Sequence, residues 1–151
     1  EDPALHVKDI VVMVQKEVAQ RLCARPKTKS YSALSVLVAY HSVPEIVTVV
    51  PASSFVPPPK VDSAVVKLAM RTTPPIQPLS EKAFFKTVRA AFGQRRKTLI
   101  NALCGSNLYS LSKEEMKTLI TSLGFPETVR GEELGLQEFC VLSDALINSF
   151  K

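Results

Sequence analysis

Between Arg71 and Pro78 the chain reads Arg-Thr-Thr-Pro-Pro-Ile-Gln-Pro, a stretch with three prolines and no apolar periodicity. Proline lacks a backbone N–H and fixes φ, so neither a helix interior nor a central strand runs through such a segment. It reads as a linker, and the sequence changes character across it. Upstream lie runs of β-branched residues suited to strands. Downstream, apolar residues recur at helical spacing. The expected fold is α/β followed by all-α: residues 1–71 form the first region, 72–79 the proline-rich linker and 80–151 a small helical bundle.

Ile10-Val-Val-Met-Val14 has no polar interruption, which suits a strand covered on both faces of a parallel sheet. Without upstream strands its apolar edge would be open, so self-association through that edge, or disorder near the amino terminus, is expected. Lys16 to Arg25 predicts a helix with Val18, Ala19 and Leu22 on one side, ended before Pro26. Ser32 is the expected cap of a second helix, with Leu34, Leu37 and Val38 at its apolar positions and its end before Pro44. Ile46–Val50 and Val61–Met70 read as strands. The segment joining them holds Pro51 and the triplet Pro57-Pro58-Pro59, so it must stand outside the sheet.

Beyond the linker, Ser80 can cap a helix that faces Phe84, Phe85, Val88 and Phe92 inward, with a break near Gly93 and a further helix carrying Leu99, Ile100 and Leu103. Ser112-Lys-Glu-Glu115 is a capping box, followed by Met116, Leu119, Ile120 and Leu123 and then by Gly124 as the stop. A last amphipathic helix from about Leu136 carries Phe139, Leu142 and Leu146, with Phe150 near its end.

Catalytic and metal chemistry find few residues to use. Cys23, Cys104 and Cys140 show no C-x-x-C spacing, and buried reduced thiols are the plain expectation. His6 and His41 are isolated, whereas acid–base or metal sites need converging partners. No metal ligands and no catalytic residues are therefore assigned. No apolar stretch approaches a membrane span, and the acidic start Glu1-Asp2-Pro3 is unlike a signal peptide, so no membrane partner and a cytoplasmic location are expected.

The net charge of +5 is modest, but its distribution is not even. Lys82, Lys86, Arg89, Arg95, Arg96 and Lys97 follow one another with no acidic residue among them, as a phosphate-binding surface would require. Taken alone, Arg95-Arg96-Lys97 is more often a solvated helix face. Phe55 stands before the proline-stiffened loop, where an aromatic ring could be held in place as a stacking platform. On residue type alone, a core side chain is the commoner reading. Lys60 and Ser63, in the same segment, could reach a phosphate or order the loop.

Four segments then occur in a telling order: Gln15-Lys-Glu-Val-Ala-Gln-Arg-Leu22, Ser35-Val-Leu37, Phe55-Val-Pro-Pro-Pro-Lys-Val-Asp-Ser-Ala-Val65 and Ala90-Ala-Phe-Gly-Gln-Arg-Arg-Lys-Thr-Leu99. With Arg130-Gly-Glu-Glu-Leu134 and Phe139 they make the chain resemble the bacterial small-subunit ribosomal RNA adenine dimethyltransferases over nearly its whole length. The resemblance implies a Rossmann-like domain that binds S-adenosylmethionine, then a helical domain that helps hold structured rRNA in a small-subunit particle. It implies double N6 methylation of two adjacent adenosines. It also implies that Phe55 stacks on the target adenine, which shifts the balance away from the core reading.

Parts of the family pattern are missing. Glycine occurs at 93, 105, 124, 131 and 135 and makes no glycine-rich donor loop. Asparagine occurs at 101, 107 and 148, so the family's Asn-Leu-Pro-Tyr-type motif is absent too. The expectation is a carboxy-terminal part of the enzyme, beginning late in its catalytic domain, inactive alone and without its own S-adenosylmethionine site. The alternative is a non-catalytic RNA-binding, assembly or transcription-factor module of the same family. The large-subunit methyltransferases that confer macrolide resistance fit less well at Phe92-Gly-Gln-Arg-Arg-Lys-Thr98.

Overall fold

The computed structural model describes residues 7–149. Among them, β1 (Asp9–Gln15), β2 (Ser42–Val50) and β3 (Ser63–Met70) form one sheet in the order β1-β3-β2. β3 is antiparallel to both neighbours, so β1 and β2 run parallel to each other with β3 between them. Val66 pairs with Val12 on one side and Ile46 on the other, which carries a row of branched side chains across the sheet. Pro44 lies inside β2, where an edge strand tolerates the missing donor, and β2 starts earlier than the β-branched run indicates.

Two short helices, α1 (Lys16–Leu22) and α2 (Ala33–His41), cover one face of the sheet. Ala19 and Leu22 of α1 and Val38 of α2 pack with Val12, Val14, Ala64, Val66 and Leu68. α1 stops at Leu22, short of the expected Arg25.

Two expectations need correction. β1 is not covered on both faces of a parallel sheet: it pairs with antiparallel β3, and Val11 and Met13 are 61% and 55% exposed. An unbroken β-branched run suits a buried strand, yet it does not specify what lies on the second face. In α2, Val38 is buried as expected, but Leu34 and Leu37 are not core residues; Val36 and Tyr40 are buried in their place. Leu34 and Leu37 line an open groove of about 390 Å³ with Phe85 and Val88.

The larger core lies among α3 (Glu81–Gly93), α4 (Leu99–Cys104), α5 (Lys113–Ser122) and α6 (Leu136–Asn148). Phe84, Val88, Leu99, Leu103, Met116, Ile120, Phe139, Leu142 and Leu146 are buried there, while Phe85, Phe92, Leu119 and Leu123 pack around them half-buried. Local chemistry sets the helix limits. Ser80 Oγ accepts from Ala83 N–H, and Ser112 and Glu115 exchange both capping-box bonds. Gly124, at φ +83°, ends α5 in the left-handed region.

α2 serves both cores, because Val36 and Tyr40 belong to the helical cluster while Val38 belongs to the sheet's. The proline-rich stretch carries no helix or strand, but Ile76 is buried in the helical cluster and Leu79 N–H donates to Asp144 Oδ1 at 2.9 Å. His6 and Phe150, singled out in the sequence, lie outside the described residues.

Candidate nucleic-acid interface

The β2–β3 connection begins with Pro51 and a 3₁₀ turn, Ala52–Ser54. Ser54 N–H donates to the Pro51 carbonyl at 3.0 Å, and Phe55 N–H to the Ala52 carbonyl at 3.2 Å. Asp62, just before β3, closes the loop at its base: Oδ1 accepts from Ala52 N–H at 3.1 Å. The Asp62 carbonyl accepts from Lys16 N–H at 2.9 Å, where β1 passes into α1. Phe55 is half-buried, belongs to neither apolar cluster and makes no ring contact with another described aromatic residue. Lys60 is exposed on the same loop.

α3 carries the basic stripe. Lys82, Lys86 and Arg89 stand at i, i+4 and i+7, so they share one exposed side, opposite buried Phe84, Val88 and Ala91. After Gly93 a turn closes with Lys97 N–H donating to the Gln94 carbonyl at 2.9 Å, and it exposes Arg95, Arg96 and Lys97. These three are not equivalent. Arg95 Nη2 donates to the Lys29 carbonyl and to Glu132 Oε2, both at 3.0 Å, so it ties the turn to two distant segments. Arg96 and Lys97 make no ion pair with a described residue.

The same ties create a cleft of about 600 Å³ that sequence reasoning missed. Arg21, Lys29 and Arg130 line it with Arg95 and Arg96, against the carboxylates of Glu17 and Glu132, which leaves three net positive charges. Gly131 permits this geometry: a Cβ there would come within 2.8 Å of the Ala91 carbonyl oxygen, so Arg130 and Glu132 flank a segment pressed onto α3. In the sequence, Lys29 belongs to a segment that reads only as a polar loop, and Arg130 stands out only within a matching motif. Nothing local signals that either faces Arg96. Phe55 and Lys60 do not line this cleft.

The remaining reactive groups are structural in character. Burial raises the Cys23 thiol, with Glu45 adding to it, and burial raises Cys140, with Asp144 adding, so both stay protonated at neutral pH. Cys23 and Cys104 are only half-buried, unlike Cys140. His41 stacks on Phe85 with ring centroids 5.9 Å apart. Tyr31, pushed up to about 12 by burial and then by Glu138, donates to the Leu134 carbonyl at 2.9 Å. No group of His, Cys, Asp or Glu among the described residues is placed to hold a metal, and no described helix is long and apolar enough to cross a membrane.

Solved structures share this arrangement of a sheet and helices. The structure is similar to a dimethyladenosine transferase from Plasmodium falciparum, with TM-score 0.71 and 28% identity, covering 94% of this chain and 57% of that one. It shares its fold with the 23S rRNA methyltransferase ErmE, with TM-score 0.60 and 20% identity over 93% of this chain and 55% of that one. The sequence model of the ribosomal RNA adenine dimethylase family matches residues 2–133, and the chain belongs to that family. Ribosomal RNA small subunit methyltransferase A of Bacillus cytotoxicus is 45% identical over 144 residues, 95% of this chain and 49% of the relative. That of Bacillus mycoides matches equally, so the chain spans about half the length of the curated relatives it matches.

No glycine-rich strand-to-helix loop of the kind that cradles S-adenosylmethionine occurs among the described residues. A Cβ at Gly105 or Gly135 would meet the protein's own Gln94 or Glu138, and Gly131 rests on Ala91. Gly93 and Gly124 have open space but terminate α3 and α5. None lies in a strand-to-helix loop whose backbone could approach a ligand.

Proposed function

We propose that this chain is the RNA-facing, carboxy-terminal part of an S-adenosylmethionine-dependent adenine N6,N6-dimethyltransferase acting on two adjacent adenosines of small-subunit rRNA. Residues 1–71 complete a Rossmann-like domain, 72–79 link, and 80–151 dock on rRNA within the assembling small subunit. Phe55 supplies a stacking face for the extruded adenine, and Lys60, Lys82, Lys86, Arg89, Arg95, Arg96 and Lys97 contact phosphate. The observation that carries the reading is that Arg96, on a cleft with three net positive charges, and its neighbour Lys97 are exposed and make no ion pair with a described residue, while Arg95 holds the turn that presents them. The chain works in the cytoplasm, where ribosomes are assembled.

The test is the salt dependence of RNA binding. Replacing Arg96 and Lys97 by Gln, with Arg95 kept, should lower the slope of log K against log salt by about 2. An unchanged slope overturns the docking role. Calorimetry of the chain with S-adenosylmethionine should show no binding, and binding would overturn the assignment of the donor site to other residues. A second reading is a non-catalytic RNA-binding, assembly or transcription-factor module of the same family. Methylation of rRNA by the full-length parent decides between the two.

A further inference from the structure

Phe55 sits on a loop of which most residues are exposed, and a stacking platform that moves freely loses its benefit to the entropy of ordering it. Something must fix it. The triplet Pro57-Pro58-Pro59 follows Phe55 and stiffens the chain beyond it, but does not connect it to the sheet. The connection comes from Asp62. Its Oδ1 accepts the Ala52 N–H, and the carbonyl of the same Ala52 accepts the Phe55 N–H, so two hydrogen bonds in series run from the carboxylate to the Phe55 backbone. The other end of the relay is anchored as well, because the Asp62 carbonyl takes the Lys16 N–H and the adjacent Ser63 pairs with both Gln15 and Val50.

We infer that Asp62 is a positioning residue, whose carboxylate holds the Ala52–Ser54 turn and thereby fixes where Phe55 presents its ring. The inference rests on the stacking role proposed above for Phe55. The ion pair to Lys16 is secondary: Nζ is 3.7 Å from Oδ2, and the two side chains are 47% and 41% exposed, so water screens it. The hydrogen bond to Ala52 is the part that matters, since removing its acceptor leaves the backbone N–H unpaired.

The chain contains no tryptophan, so Phe55→Trp places a single indole fluorophore at the platform. In that background, Asp62→Ala removes the acceptor, Asp62→Asn keeps an oxygen for the Ala52 N–H, and Lys16→Met removes only the ion pair. The readouts are the anisotropy decay of the indole and its quenching by a short oligoadenylate RNA. Asp62→Ala should shorten the slow component of the decay and weaken quenching roughly fivefold, as loss of a hydrogen bond of ordinary net strength would. Asp62→Asn and Lys16→Met should resemble the parent in both. An indole as ordered in Asp62→Ala as in the parent overturns the positioning role. Equal losses in Lys16→Met and Asp62→Ala overturn it too, because the effect would then be general destabilisation. If the indole is ordered while Asp62 is intact but is not quenched by oligoadenylate, the stacking reading of Phe55 fails while the relay stands.

Discussion

Under the sheet, the fully packed residues are Ala19, Leu22, Val38, Ala64 and Val66, mostly small side chains. In the helical region, Phe84, Leu99, Leu103, Met116, Ile120, Phe139 and Leu142 are all 0% exposed, and α2 adds Val36 and Tyr40 to them. The apolar side chains left outside are most numerous on the sheet. Val11, Met13, Val43 and Val47 of the sheet are each more than half exposed, whereas α3 turns charge rather than hydrocarbon to water. The difference teaches that the helical region closes its own core and can present cations on a firm support. The sheet closes only one of its faces.

Core deletion should separate the two regions most sharply. Phe84→Ala empties a fully buried site where Tyr40 and Phe85 pack at 5.5 and 5.1 Å between ring centroids, and it should cost about 3–5 kcal/mol in denaturant unfolding. Val11→Ala, at a position 61% exposed, should change stability by less than about 0.5 kcal/mol. Similar losses at both positions would mean that the outer face of β1 is covered in solution.

Gly131→Ala addresses how the Arg130–Glu132 segment is pressed onto α3 within the helical region. Its Cβ would lie 2.8 Å from the Ala91 carbonyl oxygen and 2.9 Å from the Ala91 Cβ, and neither backbone nor a buried alanine can yield easily. A loss of about 1–3 kcal/mol is expected from overpacking, seen as a lower thermal midpoint. Because Glu132 would move with its neighbour, the Arg95–Glu132 pair at 3.0 Å should also weaken. RNA binding should then show a changed salt dependence even though no cation has been removed.

What the sequence reveals, and what it does not, follows from how local the cause is. The capping box at Ser112 and Glu115, the stop at Gly124 and the α3 stripe were legible because each is written within a turn or two of helix. The existence of α2 and its Ser32 cap were legible too, but its inward face was not: Ala-Leu-Ser-Val-Leu-Val-Ala-Tyr is apolar around most of its circumference, so its periodicity cannot say that Val36 and Tyr40, rather than Leu34 and Leu37, meet the core. The fold-level resemblance was carried by long motifs and holds at the level of the family. The cleft joining Arg96 to Lys29 and Arg130 depends on contacts across many tens of residues, and Asp62's hold on Ala52 depends on how a loop folds back on itself.

Self-association is a gentler probe of the sheet. β1 is an edge strand with no partner on its outer side among the described residues, and a charged residue on such an edge opposes pairing with another chain. Val11→Lys should reduce the apparent mass in light scattering at high concentration, with stability again within about 0.5 kcal/mol. A protein that is monomeric before the substitution would show that the open edge does not recruit a second copy.

The smallest effect concerns α5 alone. Hydrogen bonds from the Ser112 side chain and then its backbone hold the Glu115 carboxyl below its usual pKa. A lowered folded-state pKa means stabilisation that is present above the ordinary glutamate value of about 4.3 and is lost as pH falls through the folded value. Glu115→Gln keeps an oxygen to accept the Ser112 N–H, at 2.8 Å in the parent, but that oxygen does not titrate. On acidification, amide exchange at the start of α5 should therefore rise in the parent and stay flatter in the variant. β3 should behave alike in both, since the box is confined to one turn of the helical region. An equal change in β3 would mean that the two regions open together, and that the core shared through α2 binds them into one cooperative unit.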